Sequence, residues 1–228
     1  TFDDSGPADD ETPGIPSPIA TMERLIAANP KNAEVIFPYI GGEEVNESPT
    51  HAYYRFVIDF RDRTEAECRS NWPQPMEILE KKVKPQRQEI KQNGEYKQRA
   101  PLPQKWWIHA EKRPALYASI STCKNVLVTP CISNTLAFAS MKTGLVFSHK
   151  LIVFPLQEAS ALAVLQSRSH EFWARTFASS MKDDLNYSPS DCFETFPFPT
   201  ALLDFAASDL ALDATRESLE AIGERYHQ

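Results

Sequence analysis

The sequence predicts an α+β fold, an antiparallel sheet or meander with packed helices and a C-terminal helical segment. Short runs rich in β-branched and aromatic residues occur at 34–40, 53–60 and 125–155, broken by turn-forming residues. Apolar residues recur at helical spacing before and after these runs. With 228 residues and 42% hydrophobic content, the chain can bury a sizeable core.

Taken in order, residues 1–18 are rich in Asp, Pro, Gly and Ser and read as a linker or tail with too few apolar residues to pack. Met22, Leu25 and Ile26 have helical spacing, and Asn29-Pro30 stops that helix. Residues 34–40 and 53–60 read as two strands with a long connection, in which Gly41-Gly42 lets the backbone turn sharply. Residues 75–91 read as one helix interrupted near Pro85. A polar stretch leads to Trp106-Trp107 and a short helix over 114–120. The runs 126–128, 136–138, 145–147 and 151–154 form the expected meander. Helices are expected at 159–166, 170–177 and 209–226, with Trp173 on an apolar stripe facing the core. Two prolines make 193–199 an extended strap that pins aromatics.

The net charge of −7 is unevenly spread. Residues 1–20 carry five acids and no base, and 200–228 carry six acids and two bases, whereas 81–113 holds ten bases and three acids. A basic stripe therefore survives on an acidic chain, either as a polyanion-binding face or as solvated lysines. No run approaches the roughly 18 apolar residues of a membrane helix. The acidic start does not resemble a signal peptide. The chain opens on Thr1 rather than Met, which points to part of a longer polypeptide. Cys68, Cys123, Cys131 and Cys192 are scattered without a CxxC pair or a His at ligand spacing, so neither a disulfide framework nor a zinc site is expected. A reducing cytoplasm fits.

No catalytic residue is assigned. The seven glycines include no GxG turn for a nucleotide-like cofactor. Gly41-Gly42-Glu43-Glu44 has too few glycines to cradle a phosphate, and its glutamates would repel one. Asp59, Asp62 and Glu65 lie close together, but an Asp ending a strand before charged turn residues reads as structural rather than as a metal site. His109 and His149 sit beside expected loops and read as surface histidines.

A series of motifs resembles one family. Asn29-Pro30, the run from Ile36 through Pro38 and Gly41-Gly42 to Glu44, and Arg55 to Phe60 come first. Val83 to Arg87, Trp106-Trp107, Leu165 to Arg168, Phe172 to Arg175 and Phe193 to Pro199 follow in order. This series resembles the target recognition domain of type II enzymes that fuse restriction and modification (type IIL or IIG), and more distantly the recognition repeats of type I specificity subunits. The resemblance implies a parent that transfers a methyl group from S-adenosylmethionine to adenine N6 in duplex DNA, with Mg if a nuclease domain is present. The base-holding loop and cofactor turn of such a parent are absent here, so this piece would hold no cofactor. Its partners would be double-stranded DNA and the methyltransferase domain of the same polypeptide. The expected organisation is an acidic linker at 1–19, the recognition domain at 20–200 and the start of a helical segment at 201–228.

Sequence readout needs donors and acceptors at base edges, with Lys and Arg on phosphates setting the register. Expected base contacts are Lys124, Asn125, Ser133, Asn134, Thr135, Lys142, Ser148, His149 and Lys150, all in or beside turns of the meander, where ordinary polar turn residues would look the same. Expected phosphate contacts are Lys81, Lys84, Arg87, Lys105, Lys112 and Arg113. Trp106 and Trp107 are candidates for base stacking. The alternative class is a protein-protein scaffold that docks through exposed aromatics and the last helix, which the acidic charge favours.

Overall fold

The computed structural model describes residues 1–48, 50–181, 184–200 and 210–226. Its elements are α1 (Ile19–Ala28), a 3-10 helix (Pro30–Val35), β1 (Ile36–Ile40), α2 (Gly42–Glu47), β2 (Arg55–Ile58), α3 (Glu65–Asn71), α4 (Pro73–Lys82), α5 (Lys84–Arg87) and α6 (Pro114–Ser119). There follow β3 (Asn125–Pro130), β4 (Ile132–Ser133), β5 (Ala139–Lys142), β6 (Val146–Phe147), β7 (Leu151–Phe154), α7 (Ala159–Leu165), α8 (Arg168–Phe177), β8 (Ser179–Met181), β9 (Asp184–Asn186), a π-helical turn (Pro189–Phe193) and α9 (Leu210–Arg225). The architecture is α+β, with small antiparallel sheets, packed helices and a C-terminal helix. The chain divides into two units, one of residues 1–39, 53–113 and 144–146, the other of residues 40–52, 114–143 and 147–228.

In the first unit β1 and β2 pair antiparallel, Ile36 opposite Ile58 and Tyr39 opposite Arg55. Asn29 ends α1, its side chain accepting from the Lys31 N–H, and Pro30 opens the 3-10 helix, so Asn29-Pro30 is the stop that its residue types require. The core gathers Met22, Val35, Phe60, Trp72, Met76 and Trp106. Thr64 and Glu67 form a capping box at the start of α3. Arg69 bridges Glu65 and Glu80, tying α3 to α4, and its hydrogen bonds with those of Lys84 hold the Glu80 carboxyl down to about 2. The helix breaks at Val83, because Pro85 has no N–H to continue it.

Residues 1–18 correct the expectation of an unpacked tail. Phe2 is 1% exposed, and its backbone pairs with Phe56 through bonds of 2.7 and 3.0 Å, extending the strand edge. The buried Lys82 ammonium donates to the Asp9 carbonyl and to Ser17 Oγ. One well-placed aromatic and one buried cation thus anchor a segment whose average composition is polar.

In the second unit Gly41-Gly42 does not make a turn through left-handed backbone. Gly41 is the extended N-cap of α2, donating its N–H to the buried Glu44 carboxylate at 2.9 Å, and Gly42 is the first helical residue. The main sheet has the order β5-β3-β7, with Asn125 opposite Lys142 and Val128 opposite Val153. A simple meander does not form, because β6 joins the order β2-β1-β6 and β4 joins β4-β9-β8. Residues 136–138 are not a ladder strand. The Gln166 side chain accepts from the Phe138 N–H and donates to the Leu136 carbonyl, taking the place of a neighbouring strand.

The second core packs Leu127, Phe138, Phe154, Leu162, Leu165 and Tyr187, with Phe193 and Phe198 against it. Residues 193–199 do pin aromatics, with Phe193 4.8 Å from Phe154 and Phe196 4.6 Å from His170 between ring centroids. The expected extended strap is not formed at its start, where Phe193 closes the π-helical turn and Glu194 keeps helical backbone angles. Trp173 is half-buried rather than core. It stacks on Phe177 and donates to Thr195 Oγ1, because α8 turns its His170 and Ala174 face inward.

Candidate functional site

The nine expected base-contact residues all lie in the second unit, and they separate into two groups at opposite ends of β3. Lys124, Asn125 and Lys142 are exposed at its start, joined by the Asn125–Lys142 pairing and by a bond from the Thr143 N–H to the Lys124 carbonyl. Ser133, Asn134, Thr135, Ser148, His149 and Lys150 cluster near its end, where the Cys131 N–H donates to the Lys150 carbonyl at 2.8 Å. Six residues of strand separate the groups by about 17 Å. Within the second group Ser133 and Ser148 are buried. Ser133 Oγ accepts from the Thr135 N–H, and Ser148 Oγ accepts from the Lys150 N–H. These two serines shape the loops, while Asn134, Thr135, His149 and Lys150 are exposed upon them.

The six expected phosphate contacts all lie in the first unit and are largely engaged. Lys81 pairs with Glu77 and Glu11, Lys84 with Glu80 at 2.7 Å, and Lys112 with Asp62. Arg87 is half-buried and donates to the Ile108 carbonyl at 3.1 Å, and burial pushes its pKa down. Arg113 is half-buried with φ of 49°. Lys105 is exposed without an ion pair among the described residues. Lys97 pairs with Glu89 and Arg99 with Glu111. Local acids, Glu77, Glu80, Glu89 and Glu111, together with Glu11 and Asp62 from distant segments, neutralise much of the stripe.

Trp106 is 2% exposed, with Lys84 Nζ 4.9 Å from its ring centroid, so it presents no free face to a base. Trp107 is half-buried, and its Nε1 donates to the Arg63 carbonyl. His109 Nε2 lies 3.0 Å from the Ile58 carbonyl, whereas His149 is exposed. Asp59 is paired with Arg61, and Glu65 with Arg69. Among the described residues no group of three His, Cys, Asp or Glu is placed to hold a metal ion, and no helix is long and apolar enough to cross a membrane. The four cysteines are free, and burial pushes the Cys68 thiol up to about 11.

Sequence reasoning missed one exposed feature. Along α8, Arg168, Phe172 and Arg175 stand at positions i, i+4 and i+7 on the outward side, and Phe172 is 75% exposed. The signal was present as Arg-x3-Phe-x2-Arg, but an apolar residue in a helix is read as inward until the buried face is known.

Exposed polar loops thus stand at both ends of a strand paired on either side by β5 and β7, an arrangement in which a rigid scaffold presents loops. The model of the MmeI target recognition domain matches residues 19–200, and the chain belongs to that family. The fold is similar to that in a solved structure of the type IIL restriction-modification enzyme MmeI in complex with DNA, at a TM-score of 0.55 and 15% sequence identity. That likeness covers 91% of this chain and 30% of the MmeI chain, so this chain spans less than a third of that protein. No curated protein matches the chain in sequence.

Proposed function

We propose that this chain is the sequence-reading domain of an adenosylmethionine-dependent DNA N6-adenine methyltransferase of the combined restriction-modification kind, working in the bacterial cytoplasm. Membership of the target recognition family over residues 19–200 carries this reading. On it, residues 20–200 hold duplex DNA while the methyltransferase domain of the same polypeptide acts on the flipped adenine, and 201–228 begin a helical segment. The cofactor, and any Mg of a nuclease part, are assigned to the rest of that polypeptide and to no residue here.

Base readout falls to the exposed members of the two loop groups, with Asn134 and Lys150 foremost. Asn can pair with adenine N6 and N7, and Lys with guanine O6 and N7. Phosphate contacts fall first to exposed lysines without an ion pair among the described residues, Lys105 in the first unit and, on sequences they do not read, Lys124, Lys142 and Lys150 in the second. Lys81, Lys84 and Lys112 can join them by exchanging a carboxylate for a phosphate, because exposed ion pairs are worth only about 0–1 kcal/mol.

The test uses the full-length enzyme. Its affinity for random duplex should fall steeply with salt, and exchange of Asn134 or Lys150 should alter the methylated sequence at one position, at a cost of about 1–3 kcal/mol in discrimination. Duplex binding that is absent or indifferent to salt would instead fit a protein-protein scaffold. Unchanged methylation sites in active variants would move the reading surface elsewhere.

A further inference from the structure

The outward row of α8 is unexplained by packing. Its inward side buries His170 and Ala174 completely, and Trp173 and Phe177 stack on each other at 4.5 Å between centroids. Phe172 has no such role, being left 75% exposed one turn after Arg168. Arg168 is itself exposed and makes no ion pair among the described residues. The adjacent acid, Glu171, is neutralised by Arg175 at 2.9 Å, and Arg175 also donates to the Asn134 carbonyl at 3.3 Å. The row is therefore locally cationic and coupled to one of the base-contact loops.

An aromatic ring one turn from a guanidinium that has no ion pair among the described residues, next to an exposed amide loop, fits a DNA groove better than an apolar protein face. Major grooves are about 12 Å wide and admit a helix, and apolar contact between a Phe and the thymine methyl is a recurrent mode of readout there. Ten residues of helix extend about 15 Å, enough to lie across several base pairs.

We propose that α8 is a second DNA-reading element, with the Phe172 ring against the 5-methyl group of one thymine, Arg168 on a neighbouring phosphate, and Arg175 as a positioning residue that locks the helix to the Asn134 loop. This rests on the DNA-recognition reading above and adds to it a contact class and a base.

The experiment again uses the full-length enzyme, with its preferred duplex selected from a randomised pool. Each thymine of that duplex is then replaced singly by deoxyuridine, which removes only the methyl group. One replacement should weaken wild-type binding about fourfold, the worth of one buried methyl. Phe172→Ala should bind both duplexes alike. Arg168→Gln should weaken binding to selected and random duplexes equally and lower the log-log salt slope by about one. Both side chains are exposed, so unchanged thermal melting confirms that the fold is intact. The inference is overturned if no deoxyuridine position responds, or if Phe172→Ala keeps the thymine preference. It is also overturned if that variant leaves DNA binding intact but makes the rest of the polypeptide more accessible to protease, which would identify a protein-covered face. Failure of the wild-type enzyme to bind any duplex would refute the functional reading itself.

Discussion

At the scale of single residues, burial decides what a charge or a ring can do. Arg87 belongs by its sequence context to a phosphate-binding stripe, yet its guanidinium serves a backbone carbonyl in the first unit. His170 is the sharper case. It is fully buried among Phe138, Phe196 and Tyr187, bonded through Nε2 to the Tyr187 hydroxyl at 2.9 Å, and its Nδ1 has no partner among the described residues. Burial lowers its pKa from 6.5 to about 4. Between those values the unfolded chain takes up the proton and the folded chain does not, so stability is complete above pH 6.5 and declines as pH falls towards 4. The loss from this group should approach roughly 3 kcal/mol. Denaturant unfolding of wild type and His170→Gln across that window checks it: the difference in stability between them should narrow or reverse as pH falls, and a constant difference would show that His170 is charged in the fold or already solvated.

At the scale of elements, α9 is joined to the second unit by a specific contact with the start of α7. The Glu220 carboxylate accepts from the Ala159 and Ser160 N–H groups at 3.0 and 2.8 Å, capping α7 from outside. Burial works against its ionisation, yet these hydrogen bonds keep its pKa below the ordinary value. Gly223 makes the approach feasible, since a Cβ there would stand 1.7 Å from the Ala159 carbonyl oxygen. On an open helix Gly→Ala stabilises by about 1 kcal/mol. Here Gly223→Ala should instead cost about 1–3 kcal/mol, because the backbone of α7 must move. Glu220→Gln should cost about 0.5–2 kcal/mol, the usual worth of a cap. Thermal melts and hydrogen exchange at Ala159 and Ser160 measure both, and a stabilised Gly223→Ala protein would mean that α9 does not dock there.

At the scale of the whole molecule, the net charge of −7 conceals a division between the units. Most of the first unit's expected phosphate-binding cations have carboxylate or carbonyl partners, whereas Lys124, Lys142, Lys150 and Arg168 of the second make no ion pairs among the described residues. Changing Lys124, Lys142 and Lys150 together to Gln should therefore flatten the salt dependence of random-duplex binding more than changing Lys84, Lys105 and Lys112 together, by up to about one in slope per lost phosphate contact. The reverse order would return the phosphate role to the 81–113 stripe.

The α+β class, the two strands at 36–40 and 55–58, the helix stop at Asn29-Pro30 and the last helix were legible in the sequence, because period, capping and proline chemistry act within a few residues. So was the family, through an ordered series of motifs. The polar loops were legible as loops, but their division into two groups was not, since only the register of β3 with β5 and β7 places them at opposite ends of one strand. Pairing of the basic stripe with Glu11 and Asp62, burial of Trp106 and the seating of Phe2 depend on partners far along the chain, whereas the Lys81–Glu77 and Lys84–Glu80 pairs follow from i,i+4 spacing. The outward turn of Phe172 depends on which side of α8 the second core takes up. Local sequence fixes what a segment can form, whereas which side chains remain free to meet a ligand is decided by long-range packing and charge pairing, and only tertiary structure supplies those.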